Sequence, residues 1–264
     1  MRLKILRRGT QAATLIFIVL IPLLNNKGIT VLMGTLYSFA VGPLWITDPL
    51  SGFQVIISAF AADKTLLLSM AVPIVFALVF GRVFCGWMCP QNTISEIADF
   101  LAARIMPKRL LNPSPSPKIR YMILGLLLIL TPLLGFPVAN LISAPGIISV
   151  QAANYIYAGS VGVELGLVGL IVLSEIFFVR RLWCNFLCPQ GAFLGLFRTG
   201  KTMKVQYKED EEHVCGQCFE CTRACQFGLN PMGGKIYPLC HNCGDCITAC
   251  ERMKAVEKPL SFKF

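Results

Sequence analysis

Charged residues are scarce in this chain. Only 14% of its 264 residues are charged, whereas 55% are hydrophobic, and this balance excludes an ordinary soluble protein. Acidic residues are the rarer kind, at 14 against 24 Lys and Arg, which gives a net charge of +10. A basic chain can be a nucleic-acid-binding protein, but the sequence contains no basic–aromatic module of that kind. The basic residues instead fall between hydrophobic runs, which is typical of a membrane protein.

The sequence also lacks a small-residue cleavage site after its first apolar run, residues 9–26. A secretory signal peptide needs such a site, so this run is predicted to remain as a membrane helix. Three further runs approach the roughly 20 residues that a helix needs to cross a bilayer, and they cover residues 65–84, 119–137 and 161–183. The sequence therefore predicts an α-helical membrane protein with four transmembrane helices.

The basic residues predict the orientation of these helices. The N-terminus, the 85–120 connection and the 180–204 connection carry four, five and five Lys or Arg residues, whereas the two opposite connections hold only Lys27 and Lys64. The positive-inside rule then places both termini in the cytoplasm of a multi-pass protein of the bacterial cytoplasmic membrane. Residues 28–64 are expected to form an outer connection with interfacial or re-entrant pieces, and residues 138–160 an uncharged outer loop.

Eight of the twelve cysteines form two identical C-x2-C-x2-C-x3-C runs near the end of the chain. Three closely spaced cysteines suit one corner of a [4Fe–4S] cluster, and the fourth commonly binds the partner cluster. The expected ligands are Cys215, Cys218, Cys221 and Cys250 for one cluster, and Cys240, Cys243, Cys246 and Cys225 for the other. Zinc sites or a disulfide framework fit this spacing less well. The reducing cytoplasm suits thiolate-bound iron and argues against structural disulfides.

These runs depart from the usual ferredoxin pattern at one point. A proline commonly follows the fourth cysteine of such a run, whereas Gln226 and Glu251 occupy those positions here. We expect this difference to affect the local backbone and not cluster binding. Because every ligand position is already a cysteine, His241 is expected to be a solvent-facing loop residue.

The remaining four cysteines form a second repeated pattern. The chain reads C-x3-C-P-Q from Cys85 to Gln91 and again from Cys184 to Gln190, 99 residues later. A weaker echo precedes each copy, at Asp48-Pro49 and at Ala144-Pro145. The pattern predicts two tandem two-helix repeats related by an axis along the membrane normal.

The function of the four repeated cysteines stays open at the level of the sequence. Pseudo-symmetry should bring them together at the membrane face, beneath the two clusters. They would then form a third metal site, holding iron, an iron–sulfur cluster or copper, or a redox-active dithiol. The alternative is a pair of helix-end packing motifs with free thiols. The cysteines concerned are Cys85, Cys89, Cys184 and Cys188.

With these motifs, the chain resembles the NapH family of ferredoxin-type membrane proteins over essentially its whole length. The resemblance implies a transmembrane domain at residues 1–204 and a cytoplasmic bacterial-type 2[4Fe–4S] ferredoxin domain at residues 205–264. It also implies a quinol dehydrogenase subunit that oxidises menaquinol or ubiquinol from the membrane pool. The electrons would pass to a NapG-like iron–sulfur protein or a multihaem cytochrome of a periplasmic reductase of the nitrate reductase type.

Two other functions remain open beside this one. The membrane part is also similar to the cores of NosR and CcoG, and the CcoG similarity would make the chain a copper reductase or assembly factor. The second alternative is a non-catalytic membrane anchor of an electron-transfer complex. For quinol oxidation, intramembrane carboxylates are the candidate proton acceptors. These are Glu175 and Glu164 in the fourth span, whereas Asp48 is expected to be a turn residue.

Overall fold

The computed structural model describes residues 2–105, 116–207, 218–234, 236–253 and 259–264. In this part of the chain the first half forms helices α1 (Arg2–Asn26), α2 (Pro49–Ala59), α3 (Lys64–Phe80), α4 (Val83–Trp87) and α5 (Pro90–Ile105). The second half adds helices α6 (Pro117–Leu134), α7 (Val138–Ile142), α8 (Ala144–Ala158), α9 (Glu164–Phe177), α10 (Pro189–Leu196), α11 (Glu220–Ala224) and α12 (Asp245–Arg252). The strands are β1 (Leu32–Thr35), β2 (Ser38–Val41), β3 (Leu44–Thr47), β4 (Lys204–Tyr207) and β5 (Leu260–Lys263).

Four apolar helices lie where the sequence predicts membrane spans. Within the described residues, two of them, over 3–26 and 117–134, are long and apolar enough to cross a bilayer. The other two, α3 and α9, are shorter, with 17 and 14 residues. Gly81 is the C-cap residue of α3 and has a φ of +66°, a conformation that favours glycine. A side chain at this position would also come into close contact with Thr202.

The segment after α1 folds back between α1 and α3. Strands β1, β2 and β3 form an antiparallel sheet, with β1 against α1 and β3 against α3. Two-residue turns join the strands, and the second turn is Gly42-Pro43, where Gly42 has a φ of +59°. The first turn of helix α2 is buried. Its N-cap residue Asp48 accepts a hydrogen bond from Gln190 of the second C-x3-C-P-Q motif.

The prediction of an outer loop at residues 138–160 is wrong. The structure has two helices there, α7 and α8, and α8 packs along α1, α9 and α7. The segment has no charged residues, and an uncharged segment is as compatible with a buried helix as with a loop. The sequence marks the start of α8 by Pro145 in its first turn, which is a favoured position for proline. The echo between Asp48-Pro49 and Ala144-Pro145 therefore marks the starts of two equivalent helices, α2 and α8.

The C-terminal part packs onto the ends of these helices. Strand β4 follows α10 in the chain and pairs antiparallel with β5, the last strand among the described residues. Helices α11 and α12, which carry Cys221 and Cys250, pack against each other. One apolar core continues from the helix bundle into this part, joining Ile171 and Trp183 to Phe227 and Leu260.

Candidate redox site

The four C-x3-C-P cysteines converge on one small cavity. Its wall contains the thiols of both motif copies together with Arg82, Trp183 and His241. Cys85 and Cys184 are buried, and Cys89 and Cys188 are partly buried. The two motifs lie far apart in sequence, so their meeting requires the two repeats to pack face to face. We call this space the four-thiol cavity, lined by Cys85, Cys89, Cys184 and Cys188.

Local structure explains how each motif presents two thiols. In the first copy Cys85 lies on the short helix α4, and in the second copy Cys184 lies on a π-helical turn, Trp183–Leu187. The second thiol of each motif directly precedes a helix that begins with proline, α5 or α10. The Cys188 sulfur accepts a hydrogen bond from the Gly191 backbone N–H at 3.3 Å. Such N–H···S bonds are one means by which proteins tune iron–sulfur centres.

Four residues bring unpaired buried donors to this cavity. Arg82, Arg120, Trp183 and His241 each have a buried side-chain nitrogen without a hydrogen-bond partner among the described residues. The two guanidinium groups lie together, since a Cβ on the cavity residue Gly191 would stand 2.5 Å from Arg82 Nη2 and 2.6 Å from Arg120 Nη2. Neither arginine forms an ion pair with a carboxylate within the described ranges.

The unpaired donors indicate which kind of group the cavity can hold. Buried donors and buried cations are costly unless an acceptor or an anion satisfies them. A cluster with thiolate ligands carries negative charge and offers only acceptor sulfurs, so it would match this set of donors. Within the part of the chain that the structure describes, no three His, Cys, Asp or Glu side chains are spaced to hold a single metal ion. A cluster does not need such a group, because each thiolate binds a different iron atom.

A second cavity gathers four ferredoxin-type cysteines. Its wall contains Cys225 from the first run and all three closely spaced cysteines of the second run, Cys240, Cys243 and Cys246. The Cys225 sulfur accepts a hydrogen bond from the Leu229 backbone N–H at 3.4 Å. This is the set that the crossed ligand pattern predicts for one cluster. The residues present therefore fit a [4Fe–4S] cluster at this position, which we call the inner ferredoxin site.

Two of the ligands expected for the other ferredoxin cluster lie on helices that pack against each other. Cys221 is buried on α11, and Cys250 is partly buried on α12. Cys218 is exposed. Cys215 lies outside the described residues. We call this set of four expected ligands the outer ferredoxin site.

His241 lies between the four-thiol cavity and the inner ferredoxin site and lines both. It is 2% exposed, so the expectation of a solvent-facing loop residue is wrong. Its Nε2 atom accepts a hydrogen bond from Arg82 Nη2 at 2.8 Å, since a guanidinium can only donate. Burial, together with the neighbouring Arg82 charge, lowers the pKa of His241 well below its usual value. This burial could not be predicted from the sequence, because residues distant in the chain cover the loop.

Further contacts hold the loop around Cys240, in the second ferredoxin run, against the first C-x3-C-P motif. Arg82 Nη1 donates to the Pro238 carbonyl oxygen at 2.6 Å, and Trp87 Nε1 donates to the Asn242 carbonyl oxygen at 3.0 Å. Asn242 Nδ2 donates to the carbonyl oxygen of Phe80 at 3.1 Å. Gly86 permits this approach, because a Cβ there would stand 2.9 Å from the His241 carbonyl oxygen. These contacts keep the inner ferredoxin site next to the four-thiol cavity.

The residue that replaces the usual proline has a structural role. Gln226 accepts a hydrogen bond from Arg181 Nη2 at 2.6 Å and donates to Asp245 Oδ2 at 2.6 Å and Glu96 Oε1 at 3.2 Å. The same two carboxylates form ion pairs with buried Arg7, each at 3.0 Å. Proline has no side-chain donor or acceptor for such bonds. Gln226 therefore belongs to a polar network that fastens the ferredoxin runs to α1 and α5.

The two acidic candidates, Glu175 and Glu164, and the expected turn residue Asp48 have different surroundings. Glu175 is 1% exposed and accepts a hydrogen bond from the Trp183 backbone N–H at 3.2 Å, next to Cys184. Glu164 begins α9, at the opposite end of this helix from the segment that leads to Cys184, and it accepts a hydrogen bond from Gln151 Nε2 at 3.0 Å. Asp48 caps α2, as the turn prediction implies, but it also faces a large apolar cavity.

Comparisons with known proteins agree with the repeat and with the type of site. A family described as a 4Fe-4S binding domain matches the chain twice, over residues 63–109 and 162–204, and each segment contains one C-x3-C-P motif. The ferredoxin-type protein NapH of Haemophilus influenzae is 27% identical over 216 residues, which cover 78% of this chain and 72% of the relative. NapH of Escherichia coli K12 is 28% identical over 217 residues, with the same coverage.

The chain belongs to the NapH family of ferredoxin-type proteins. A further relative is the methylamine utilization ferredoxin-type protein MauN of Methylobacillus flagellatus. It is 30% identical over 189 residues, which cover 71% of this chain and 64% of MauN. No solved structure matches the chain. This NapH-family chain is thus an iron–sulfur protein of the ferredoxin type that functions in electron transfer.

Proposed function

We propose that this NapH-family protein oxidises membrane quinol and passes the electrons through its own iron–sulfur centres to a partner protein. The observation that carries the proposal is that two cysteine sites adjoin each other at the end of an apolar helix bundle. The four-thiol cavity and the inner ferredoxin site share His241 in their walls. We place the outer ferredoxin site last in the series, because one of its expected ligands, Cys218, is exposed. Such a series suits one-electron transfer from a lipid-soluble two-electron donor to an acceptor beyond the bundle.

Each cysteine site has an assigned cluster in this proposal. The inner site takes one [4Fe–4S] cluster on Cys225, Cys240, Cys243 and Cys246, and the outer site takes the second on Cys215, Cys218, Cys221 and Cys250. The four-thiol cavity takes a third iron–sulfur cluster. When bound, these clusters supply one-electron acceptors and donors. The chain's own residues bind them, shield them from water and, through Arg82 and His241, hold the first two sites together.

The proposal includes the membrane topology predicted from the sequence. Helices α1, α3, α6 and α9 are the four spans, both termini are cytoplasmic, and residues 1–204 and 205–264 form the two domains. Pro145 at the start of α8 forms part of the wall of the four-thiol cavity. In this topology a quinol in the bilayer delivers its electrons to a site at the end of the helix bundle. The acceptor is a NapG-like iron–sulfur protein or a multihaem cytochrome.

Anaerobic reaction with a reduced quinol analogue tests the proposal. The purified holoprotein should bleach in the visible spectrum and develop the EPR signals of reduced clusters. In the Cys215→Ala variant, the outer-site signal should disappear while the others remain. If only dithionite reduces the clusters of the wild-type protein, the chain does not oxidise quinol, and an anchoring or metal-reducing function would replace the proposal.

A further inference from the structure

The largest described cavity has no function in the chemistry discussed so far. It has a volume of about 590 Å³ and lies between α1, the β1–β3 sheet and α3. This volume falls within the range of roughly 300–1,000 Å³ that is typical of small-molecule sites. Nearly all of its wall is apolar, with Phe17, Phe39 and Phe76 among the side chains. The ligand that fits such a wall is itself largely apolar.

The cavity opens between α1 and α3. Ala13 on α1 and Val72 on α3 line it and are exposed on the outer surface of the bundle. Neighbouring exposed side chains on the same helices are apolar, including Ile16, Leu68 and Val75. A mouth between two apolar helices admits a molecule that arrives through lipid.

The polar residues that line the cavity are few. Asp48 and Gln190 hydrogen-bond to each other at what we call its inner end, and Thr10 and Thr14 of α1 also line it. Asp48 Oδ2 also accepts bonds from the Ser51 backbone N–H at 2.9 Å and from the Ser51 hydroxyl at 3.0 Å. Burial raises the pKa of Asp48 to about 6, although these hydrogen bonds lower it. A base with a pKa near the working pH is suited to proton transfer.

The inner end also adjoins the four-thiol cavity. Phe84 and Gln190 line both spaces, and Met88, between Cys85 and Cys89 in sequence, lines the apolar one. One layer of side chains therefore separates a ligand beside Asp48 from the four thiols. The second repeat has Ala144 where the first has Asp48, so only one of the two pseudo-symmetric halves offers a carboxylate.

We propose that this cavity is the quinol site, with the quinol ring against the hydrogen-bonded pair of Asp48 and Gln190 and its tail leaving between α1 and α3. This inference rests on the proposed quinol oxidation and assigns its site. Bound quinol loses two protons and two electrons and leaves as quinone. Each of the two electrons reduces an iron–sulfur centre of the chain in a one-electron step. Asp48 accepts each proton in turn and releases it through the Ser51 hydroxyl, which also contacts Asn140 at 2.8 Å.

Two variants test the site, each with a matched control. Ala13→Phe should narrow the mouth and weaken binding of an oxidised short-chain ubiquinone or menaquinone analogue at least about tenfold by calorimetry. Its neighbour Ala12 is exposed but does not line the cavity, so Ala12→Phe should bind as wild type does. Dithionite-reduced EPR spectra should be the same for both variants, which shows that folding and cluster content are unchanged.

The second variant, Asp48→Asn, separates binding from proton transfer. The amide keeps the shape of the carboxylate but cannot accept the proton, so quinol-driven bleaching should slow by about 100-fold or more. The affinity for the quinone analogue should change less than about threefold, because the apolar wall is intact. Exposed Asp63 provides the control, and Asp63→Asn should react at the wild-type rate.

The results of these experiments distinguish failure of the proposed site from failure of the proposed quinol oxidation. If quinol reduces the wild-type protein and both Ala13→Phe and Asp48→Asn behave as wild type, quinol oxidation stands and this cavity is not its site. If quinol does not reduce the wild type but the quinone analogue binds and Ala13→Phe abolishes that binding, the cavity is a quinone site and the proposed oxidation is wrong. Absence of analogue binding to the wild-type protein would overturn the site.

Discussion

Replacing Cys85 and Cys184 by alanine is expected to lower the iron content from about twelve to about eight atoms per chain, since each cubane cluster holds four. The two thiols come from different repeats and face the same cavity. Without them the cluster loses half of its ligands. Quinol-driven reduction of the ferredoxin clusters should then fall by about 100-fold or more, because the acceptor nearest the quinol is gone. Iron analysis and EPR after dithionite reduction measure both effects.

The Cys215→Ala variant is the matched control for this loss. It should also lose about four iron atoms per chain, but from the outer ferredoxin site, so the EPR signal of the four-thiol centre should remain. An iron content of about eight in the wild-type protein, unchanged in the Cys85→Ala/Cys184→Ala variant, would contradict the third cluster. The C-x3-C-P cysteines would then be free thiols that pack at helix ends.

Replacing Arg82 by methionine is expected to lower the reduction potential of the four-thiol centre by about 100 mV. The Arg82 guanidinium is buried in the cavity wall and lies close to Cys85. At an effective dielectric constant of about 20, a unit charge about 6 Å away contributes roughly 3 kcal/mol to the stability of an added electron. Losing this positive charge makes reduction harder. An EPR-monitored redox titration measures the potential.

Arg82→Lys separates charge from geometry in the same experiment. Lysine keeps the charge but not the planar fork that binds the Pro238 carbonyl and His241 together. Arg82→Lys should therefore have a reduction potential close to that of the wild-type protein. Its thermal stability should lie between those of Arg82→Met and the wild type. A potential that stays unchanged in Arg82→Met would show that no redox centre lies beside this arginine.

The chemistry of the protein could be predicted from its sequence because it depends on short, regular spacings. The ferredoxin runs predict the set Cys225, Cys240, Cys243 and Cys246, and the structure brings these four cysteines around one cavity. The repeated C-x3-C-P motif likewise predicts that the two copies meet. The long apolar runs that become α1 and α6 are recognisable because their length alone distinguishes them from other elements.

The features that could not be predicted depend on contacts between distant segments. Short uncharged segments such as α8 and the β1–β3 sheet have no periodicity that separates a loop from a buried element. Asp48 precedes a proline and has the sequence context of any turn residue, and only the fold places it next to Gln190. His241 and Gln226 are polar residues in loops, yet each is bonded to an arginine distant in the sequence, His241 to Arg82 and Gln226 to Arg181.

The most direct test of the account is freeze-quench EPR of the wild-type protein mixed anaerobically with a reduced quinol analogue, beside the Cys85→Ala/Cys184→Ala variant. We expect the clusters of the wild-type protein to become reduced, with the signal of the four-thiol centre rising first and those of the ferredoxin sites following. In the variant, the ferredoxin clusters should remain oxidised with quinol but be reduced by dithionite. Equal reduction of the ferredoxin clusters by quinol in both proteins would contradict electron entry through the four-thiol site.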